Sequence, residues 1–191
     1  SKRKKYTSMK ISKEKKHINS EDLIIHEAEV WKFLTFGKLK LIGKKCEAFV
    51  AADDNKLRKS LVKMIQEVRH MQPVNAIHFK SVISEKAILG HGNFIDCNVY
   101  LAPGSKVGSH CILNTQTSVG VEAALGDFVQ VGAGSSINAG VTIEDEVFIG
   151  SGVTIISGVT VGKGARIGAG SVVIAPVKAG DTVFGNPAKV V

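Results

Sequence analysis

Six positions spaced eighteen residues apart hold the residue types with which this chain could do chemistry: His78, Asp96, Asn114, Gly132, Gly150 and Gly168. The first three are polar and can hydrogen-bond to a bound group, whereas the last three have no side chain. Backbone N–H groups beside such glycines can hold a long, thin, polar molecule such as a pantetheine arm. Corners of a tightly wound chain also demand glycine, so the functional and the structural interpretations both stay open.

The eighteen-residue spacing is three times a shorter period of six residues that runs through the chain. An aliphatic residue recurs at every sixth position from Ile77 to Val173 without a break, seventeen times in a row. Four residues after each aliphatic comes a second residue that is mostly small or β-branched, such as Ser105, Thr117 or Ala165. A fixed period of six predicts a hexapeptide β-helix.

The period dictates how the candidate residues are positioned. Each hexad supplies one short strand and one turn, and three hexads close a triangular coil of roughly eighteen residues. Successive coils then stack at about 4.8 Å, the inter-strand spacing, so residues eighteen apart form a column. Seventeen hexads predict five to six coils. A β-sandwich would instead alternate with period two, which excludes it here.

Other catalytic motifs are missing from the sequence. A zinc hydratase on such a fold needs three histidines at tight spacing, and the six histidines do not supply it. The three cysteines form no metal-ligand spacing, so we expect no metal. The sequence also contains no Gly-x-Gly-x-x-Gly dinucleotide motif after a predicted strand and no serine nucleophile elbow.

The net charge of +8 is concentrated at the start of the chain. Residues 1–16 hold eight Lys or Arg against one Glu, whereas the remainder holds 17 basic against 16 acidic residues. We therefore interpret the basic segment as a solvated arm and expect no nucleic-acid partner. No apolar run approaches the ~20 residues of a membrane-spanning helix, so we expect no membrane partner. Unpaired cysteines favour a reducing compartment, and we expect a cytoplasmic protein.

Three domains are predicted. Residues 1–20 form a basic flexible tail, residues 21–76 a small α/β domain, and residues 77–191 the β-helix with a C-terminal cap. Within the second domain we expect a helix over 21–36, a buried strand over 47–52 and a helix over 56–70 that Asp53, Asp54 or Asn55 caps. The residues from 180 onwards should cover the last coil, because an open coil exposes unpaired strand edges.

Several segments resemble one known family. The repeats and their ending at Gly185–Lys189 resemble left-handed β-helix acyltransferases. A narrower resemblance, to the sialic-acid O-acetyltransferases and nucleotide-4-amino-sugar N-acetyltransferases, rests on Ala51–Arg58, Asn75–His78, Ile112–Thr115 and Gly126–Val129. The expected fold is therefore mainly β: a left-handed parallel β-helix with a small, reduced N-terminal α/β domain. The left hand is taken from the family, since the usual crossover rule gives the opposite one.

The resemblance implies a reaction and a set of binding residues. Such enzymes move acetyl from acetyl-CoA to the amino group of a nucleotide-linked 4-amino-4,6-dideoxy sugar, and acetyl-CoA lies between neighbouring β-helices of a homotrimer. A UDP-linked sugar is favoured as the acceptor. The implied substrate-binding residues are Ala51, Asp54, Asn55 and His78. The implied acetyl-CoA-binding residues are Gln130, Ala139, Gly150, Ser151, Gly168, Ala169 and Lys189.

The chain departs from the family pattern at the reacting centre. The family's catalytic histidine falls on Val121, the acid that follows it is retained as Glu122, and a second family histidine falls on Gln130. The family's Gly-rich phosphate loop is absent from residues 1–46. Glu122 and Asn114 are the remaining catalytic candidates, although Glu122 also fits a solvated corner acid and Asn114 a left-handed corner or a stacking asparagine ladder. His78 fits a structural hydrogen bond at the domain junction equally well.

Transfer to an amine survives the loss of a histidine more easily than transfer to an alcohol. A general base contributes typically about 10²–10⁴-fold, and a sugar amine can attack as its free base. The sequence therefore predicts a proximity-driven N-acetyltransferase without a histidine base. A catalytically inactive paralogue that binds sugar nucleotide or CoA, and an O-acetyltransferase, are the alternatives.

Overall fold

The structure, a computed structural model, describes residues 9–11, 16–17, 23–26 and 47–191. Strands β1 (Met9–Ile11), β2 (Lys16–His17), β3 (Leu23–His26) and β4 (Ala48–Ala51) precede helix α1 (Asn55–Arg69). From residue 76 onwards the chain is a parallel β-solenoid of about six coils with three faces. The predicted parallel β-helix is therefore confirmed.

Each face of the solenoid is a ladder of short parallel strands. Face 1 consists of β5 (Ala76–His78), β8 (Phe94–Ile95), β11 (Ile112–Leu113), β14 (Gln130–Val131), β17 (Phe148–Ile149) and β20 (Arg166–Ile167). Face 2 consists of β6 (Val82–Ile83), β9 (Tyr100–Leu101), β12 (Ser118–Val119), β15 (Ser136–Ile137), β18 (Thr154–Ile155) and β21 (Val172–Val173). Face 3 consists of β7 (Ile88–Leu89), β10 (Lys106–Val107), β13 (Ala124–Leu125), β16 (Thr142–Ile143) and β19 (Thr160–Val161).

The hexad aliphatics fill the interior of the prism. Paired strands are offset by eighteen residues, so Leu113 lies between Ile95 and Val131. All seventeen aliphatics belong to the core, where Ile83 and Leu89 of the first coil are only partly buried. The small residues four positions later are buried as well, among them Ser105, Thr117 and Ala165. Because each buried aliphatic side chain contributes about 1.5–3 kcal/mol, the repeat itself accounts for most of the driving force.

Both ends of the solenoid are covered along face 1. At the start, β1 pairs antiparallel with β5, and β2 pairs with β1. At the other end the eighteen-residue register lapses, as expected, and Arg166 pairs with Thr182 only sixteen residues later. Strands β22 (Thr182–Gly185) and β23 (Ala188–Val190) then form an antiparallel hairpin. The expected C-terminal cap is confirmed, and it satisfies a strand edge that would otherwise be open.

The N-terminal part differs from expectation in one element. The helix expected over residues 21–36 is wrong at Leu23–His26, which form β3 and pair in parallel with β4. Two adjacent isoleucines favour a strand once a partner strand is available, which outweighs the helical spacing. Residues 27–46 lie outside the described residues. Within the tail expected over residues 1–20, the described pieces are the strands β1 and β2, and the three domain boundaries remain predictions.

Helix α1 follows the sequence-based expectation closely. Asp54 is its N-cap, and the carboxylate accepts a hydrogen bond of 2.7 Å from the Leu57 N–H. The apolar face buries Leu61 and Ile65 against Val50 of β4. This α/β unit packs on the solenoid where face 3 turns into face 1, with the Phe49 and Phe94 ring centroids 6.3 Å apart.

Candidate functional site

The three edges of the prism carry different side chains. Edge 1–2, between faces 1 and 2, contains residues 132–134, 150–152 and 168–170 in its last three coils, all of them Gly, Ala or Ser. We call these nine residues the small-residue edge. Gly134, Gly152 and Gly170 have positive φ, and a Cβ on any of them would meet nothing within 4 Å. The backbone along this edge is therefore accessible to a ligand.

The glycine column noted in the sequence has a structural explanation of its own. A Cβ on Gly132 would lie 2.4 Å from the Ser151 nitrogen, and one on Gly150 would lie 2.5 Å from the Ala169 nitrogen. The other edges show the same crowding, for example at Gly120. Coil stacking therefore demands glycine at these corners, and the column alone does not indicate a ligand. What distinguishes edge 1–2 is that the two residues after each corner glycine are small as well.

Polar residues replace the small ones one coil below. Asn114, Thr115 and Gln116 form what we call the polar edge. The Asn114 side-chain amide donates a hydrogen bond of 2.9 Å to the Val131 carbonyl, which leaves its side-chain oxygen available. Asn114 thus takes part in coil stacking, which supports its structural interpretation, and it is partly exposed at the end of the small-residue edge.

Asp96 lies directly beneath this polar edge. Its Oδ2 accepts a hydrogen bond from the Thr115 hydroxyl, and its Oδ1 accepts one of 2.7 Å from the Cys97 N–H. Both Asp96 and Thr115 are partly exposed. The carboxylate is thus oriented by the backbone on one side and coupled to a reachable hydroxyl on the other.

His78 occupies the same edge in the first coil, where its side chain contacts residues next to it in sequence. Its Nδ1 accepts a hydrogen bond of 3.2 Å from the Lys80 N–H, and its ring lies tilted against Phe79 with the centroids 4.7 Å apart. Two coils separate it from Asn114. The structure therefore supports the local, structural interpretation of this histidine.

The residues expected to bind the acceptor lie on the other side of face 1. Ala51 ends β4, and Asp54 and Asn55 begin α1. The Asn55 side-chain amide donates a hydrogen bond of 3.3 Å to the Phe128 carbonyl at edge 3–1. The start of α1 is thereby attached to the end of the third coil.

A buried arginine fixes the turn between β4 and α1. The Arg58 side chain, with 1% of its surface exposed, donates hydrogen bonds to the carbonyls of Ala52, Asp53 and His110 and to the Asn55 side-chain oxygen, at 2.7–3.1 Å. Burial lowers the pKa of Arg58, and the nearby carboxylates of Asp53 and Asp54 partly offset this effect. The turn and the solenoid are therefore held together by one guanidinium.

His110 is a second buried group at this junction. Burial lowers its pKa to about 4, because an imidazolium would lose its hydration there, and the Asp127 carboxylate offsets this only in part. Its ring stacks on Phe128 with the centroids 4.9 Å apart. Neutral His110 is thus a packing residue. Burial also raises the pKa of the Cys111 thiol to about 12, so Cys111 is unsuited to act as a nucleophile.

Face 1 connects the two halves of the candidate site. Gln130 of β14 points outward, two residues after Phe128 and two residues before Gly132. Four residues of extended chain span no more than about 14 Å, so the start of α1, Gln130 and the small-residue edge can border one bound molecule. Phe148 lies one coil above Gln130, and the Arg166 guanidinium of the next coil lies 4.7 Å from the centroid of the Phe148 ring.

Three further positions singled out in the sequence, among them the catalytic candidate Glu122, lie on a different edge. Val121, Glu122 and Ala139 are exposed at edge 2–3, the edge of the prism that does not border face 1. Glu122 adopts a positive φ of 55° and packs its Cγ over Gly104. Val121 is 49% exposed. One copy of the chain therefore does not bring Glu122 together with Asn114 or Gln130.

The C-terminal hairpin closes the top of the small-residue edge. The Phe184 ring lies against Gly168, and a Cβ atom on Gly168 would lie only 2.2 Å from this ring. Lys189 pairs with Phe184 across the hairpin. Ser151 and Ala169 are exposed just below. Lys189 is the one predicted binding residue in this hairpin, and it is exposed at the edge of the face 1 sheet.

Two further classes of site are not found in the described part of the chain. No group of three or more His, Cys, Asp or Glu side chains among those residues is placed to hold a metal ion. Nor does any helix in residues 47–191 have the length and apolar character needed to cross a bilayer.

Sequence reasoning missed the contacts that join distant segments. The contact between Arg58 and His110 joins residues 52 positions apart in the sequence. The one sequence signal for it was that Arg58 belongs to the segment Ala51–Arg58, which resembles the acetyltransferase family. The Thr115–Asp96 pair could have been found, because a nineteen-residue separation places two residues side by side in adjacent coils.

Comparisons with known proteins agree with this geometry. The family described as bacterial transferase hexapeptide (six repeats) matches residues 122–157 and 140–175. A histidine-to-asparagine mutant of perosamine N-acetyltransferase from Caulobacter crescentus, in complex with CoA and GDP-perosamine, superposes with a TM-score of 0.76. It is 29% identical over 86% of this chain and 75% of that chain. No match was found among curated protein sequences.

Two further solved structures are similar to a comparable degree. The acetyltransferase domain of PglB from Neisseria gonorrhoeae FA1090, in complex with acetyl coenzyme A, has a TM-score of 0.77 and 28% identity over 81% of this chain and 75% of that chain. WeeI from Acinetobacter baumannii AYE has a TM-score of 0.75 and 28% identity over 81% and 76%. The chain thus folds as a β-solenoid with hexapeptide repeats, similar in fold and sequence to a perosamine N-acetyltransferase and to the acetyltransferase domain of PglB.

Proposed function

We propose that this chain transfers acetyl from acetyl-CoA to the amino group of a nucleotide-linked amino sugar. The observation that carries the proposal is the similarity, across most of both chains, to an enzyme crystallised with both CoA and GDP-perosamine. The small-residue edge and the α/β unit beside face 1 supply one surface for each substrate. The acceptor is proposed to be a 4-amino-4,6-dideoxy sugar.

Acetyl-CoA is proposed to lie along the small-residue edge. Its pantetheine arm would follow Gly150, Ser151, Gly168 and Ala169, with its nucleotide end near Lys189. Because no side chain larger than serine interrupts this edge, a thin ligand can lie against the backbone over three coils. The thioester would then come to the polar edge at Asn114, within reach of Gln130.

The sugar nucleotide is proposed to bind at the start of α1, near Ala51, Asp54 and Asn55. These residues border face 1 on the side opposite the small-residue edge, so the sugar would extend across Gln130 towards the thioester. His78, held by local contacts in the first coil, is the least well placed of the predicted acceptor residues.

The proposed mechanism uses orientation and no histidine base. A sugar amine attacks the thioester carbonyl as its free base, and holding both reactants in place supplies most of the rate enhancement. Val121 provides no imidazole at the position of the family histidine. An alcohol acceptor would need a base far more than an amine does, so we expect an N- and not an O-acetyltransferase.

We further propose that the working unit is a homotrimer. Glu122 and Ala139 lie at edge 2–3, away from face 1 of their own chain. They can join the site only if the edge 2–3 of one copy meets the edge 1–2 of another. Closed cyclic assemblies are the usual way to repeat such a heterologous contact. We expect no nucleic acid, membrane or metal in the assembly, and we place it in the cytoplasm because the described cysteines are free.

Thiol release from acetyl-CoA tests the proposal. We expect turnover with UDP- or GDP-linked 4-amino sugars, and the two nucleotides should be tested side by side because UDP is a prediction and GDP occurs in the similar structures. The missing histidine favours a second candidate, an inactive binding paralogue. Binding of CoA and of sugar nucleotide without any turnover would support this candidate.

A further inference from the structure

The Asp96–Thr115 pair is a coupled acid and hydroxyl at the place where the small-residue edge ends. Thr115 donates its hydroxyl hydrogen to Asp96, whose other oxygen is held by the Cys97 N–H. The Thr115 oxygen keeps lone pairs that can accept a further hydrogen bond. Both side chains are partly exposed, so a molecule at the polar edge can contact Thr115 while Asp96 stays behind it.

We infer that Thr115 and Asp96 together accept the proton that the acceptor amine loses during acetyl transfer. The inference rests on the proposed function and adds a proton acceptor that the missing histidine leaves unassigned. Thr115 is the group that contacts the reacting nitrogen, and Asp96 acts through Thr115 as a positioning residue.

The step balances with the groups that are present. The amine nitrogen forms a bond to the thioester carbonyl carbon, and the C=O π pair moves onto oxygen. The positively charged nitrogen gives a proton to the Thr115 oxygen while the Thr115 proton passes to the Asp96 carboxylate. The carbonyl then re-forms, the C–S bond breaks with its electron pair on sulfur, and the thiolate takes the proton back from Asp96. The products are the N-acetylated sugar and CoA thiol.

The neighbouring polar groups are less suited to this role. The Asn114 side chain has no titratable group, and its amide nitrogen already donates to the Val131 carbonyl. Glu122 lies on edge 2–3, so in the proposed trimer it would approach from another copy, whereas Asp96 and Thr115 lie on the copy that carries the small-residue edge. Asp96 is the carboxylate next to the end of the small-residue edge within a single copy.

The Asp96–Thr115 bond also joins two coils, so the test must separate stacking from catalysis. Asp145 provides a control, because its carboxylate also joins two coils, at edge 3–1. Its Oδ1 accepts a hydrogen bond of 2.9 Å from the Asp127 N–H, and its Oδ2 lies 3.8 Å from Lys163 Nζ. Asp145→Asn and Asp96→Asn therefore each replace a carboxylate that joins two coils, and only the second affects the proposed proton path.

The experiment measures kcat and KM with acetyl-CoA and an amino-sugar nucleotide. We expect Thr115→Val and Asp96→Asn each to lower kcat by about 100-fold, at the lower end of general-base effects. Both KM values should stay within about twofold, because substrate binding is unaffected. The double variant should be no slower than either single variant, Thr115→Ser should recover most of kcat, and Asp145→Asn should match the parent protein.

Each outcome decides the matter. Unchanged kcat in both single variants, or equal losses in Asp145→Asn, would overturn the inference while leaving the proposed function standing. Absence of turnover in the parent protein would overturn both. If Thr115→Val does not fold, Asp96→Asn and Thr115→Ser still decide, since failure of the serine variant to retain activity contradicts a hydroxyl relay.

Discussion

At the scale of single residues, Arg58 determines how the acceptor side meets the solenoid. It donates to three backbone carbonyls from two parts of the chain and to the Asn55 side-chain oxygen, and these bonds compensate for its burial. A buried polar group that loses its partner costs about 1–3 kcal/mol. The stability of the junction therefore depends on this one side chain more than on any surface ion pair there.

Replacing the guanidinium tests this dependence. We expect Arg58→Met to lower the free energy of unfolding by about 3 kcal/mol or more, because several carbonyls lose their donors. Lys59→Met is the control. Lys59 lies on the same helix as Arg58, and its replacement removes a partly exposed ion pair with Glu146 of the solenoid. This loss should cost about 1 kcal/mol or less. Denaturant titration and amide exchange of α1 measure both effects, and equal losses would contradict the account.

His110 gives the fold a pH dependence with a definite sign. Its folded pKa of about 4 lies below the ordinary 6.5, so the unfolded chain binds the proton more readily. Its stabilisation is complete above pH 6.5 and is lost as the pH falls from about 6.5 to 4, by up to about 3 kcal/mol.

A variant without the imidazole isolates this contribution. We expect His110→Asn, which tolerates the positive φ of 61° at this position, to lose less stability than the parent protein between pH 7 and pH 4.5. Urea unfolding at a series of pH values measures the difference. Parallel stability curves for the two proteins would show that His110 does not titrate in this window.

At the scale of structural elements, the sequence predicted what repeats and missed what does not. The seventeen aliphatics and the small residues four positions later predicted the coil, its three faces and its interior. Helix α1 followed from its apolar stripe and from Asp54 at its start. By contrast, the segment Leu23–His26 is too short to show a strand pattern that would outweigh the helical spacing of the apolar residues around it. It forms a strand because it pairs with β4. Non-local pairing of this kind is invisible to local patterns.

The candidate site could be predicted only in part for the same reason. Eighteen-residue columns placed Asn114, Gly150 and Gly168 on one edge, which the structure confirms. The sequence left open whether coil stacking alone demands those glycines, and it did not show that Glu122 lies on a different edge from Asn114. Both facts depend on which corner a residue occupies and on what lies one coil above it.

The small-residue edge can be blocked without disturbing the core. Ala169 and Ala179 are both exposed alanines at coil corners, on edges 1–2 and 3–1 respectively. We expect Ala169→Trp to weaken CoA binding at least about tenfold, because an indole would occupy the path of the pantetheine arm. A tenfold loss of affinity corresponds to about 1.4 kcal/mol of binding free energy. Ala179→Trp should bind CoA like the parent protein. Calorimetric titration with CoA measures both, and equal affinities would place CoA elsewhere.

At the scale of the whole molecule, the account requires that copies of the chain share their sites. Edges 1–2 and 2–3 each carry part of the predicted site, and one copy keeps them apart. Two variants that block different edges should therefore complement each other. Ala169→Trp blocks edge 1–2, and Ala139→Trp blocks edge 2–3 at another exposed alanine.

Mixing the two blocked variants tests the shared site. We expect each variant alone to be nearly inactive. In an equal co-expressed mixture, about a quarter of the contacts between copies should pair an unblocked edge 1–2 with an unblocked edge 2–3, and these contacts should regain activity. Native mass spectrometry confirms that mixed trimers have formed. Mixed trimers without any recovered activity would show that each site lies within one copy.

The most direct measurement of the central claim is the stoichiometry of acetyl transfer. The purified protein is incubated with acetyl-CoA and either a nucleotide-linked 4-amino sugar or its 4-hydroxy counterpart, and free thiol and acetylated sugar are quantified together. The account predicts one thiol released for each amide formed with the amino sugar, and negligible release with the hydroxy sugar. Equal turnover of both sugars, or no amide from any amino-sugar nucleotide by the folded protein, would contradict it.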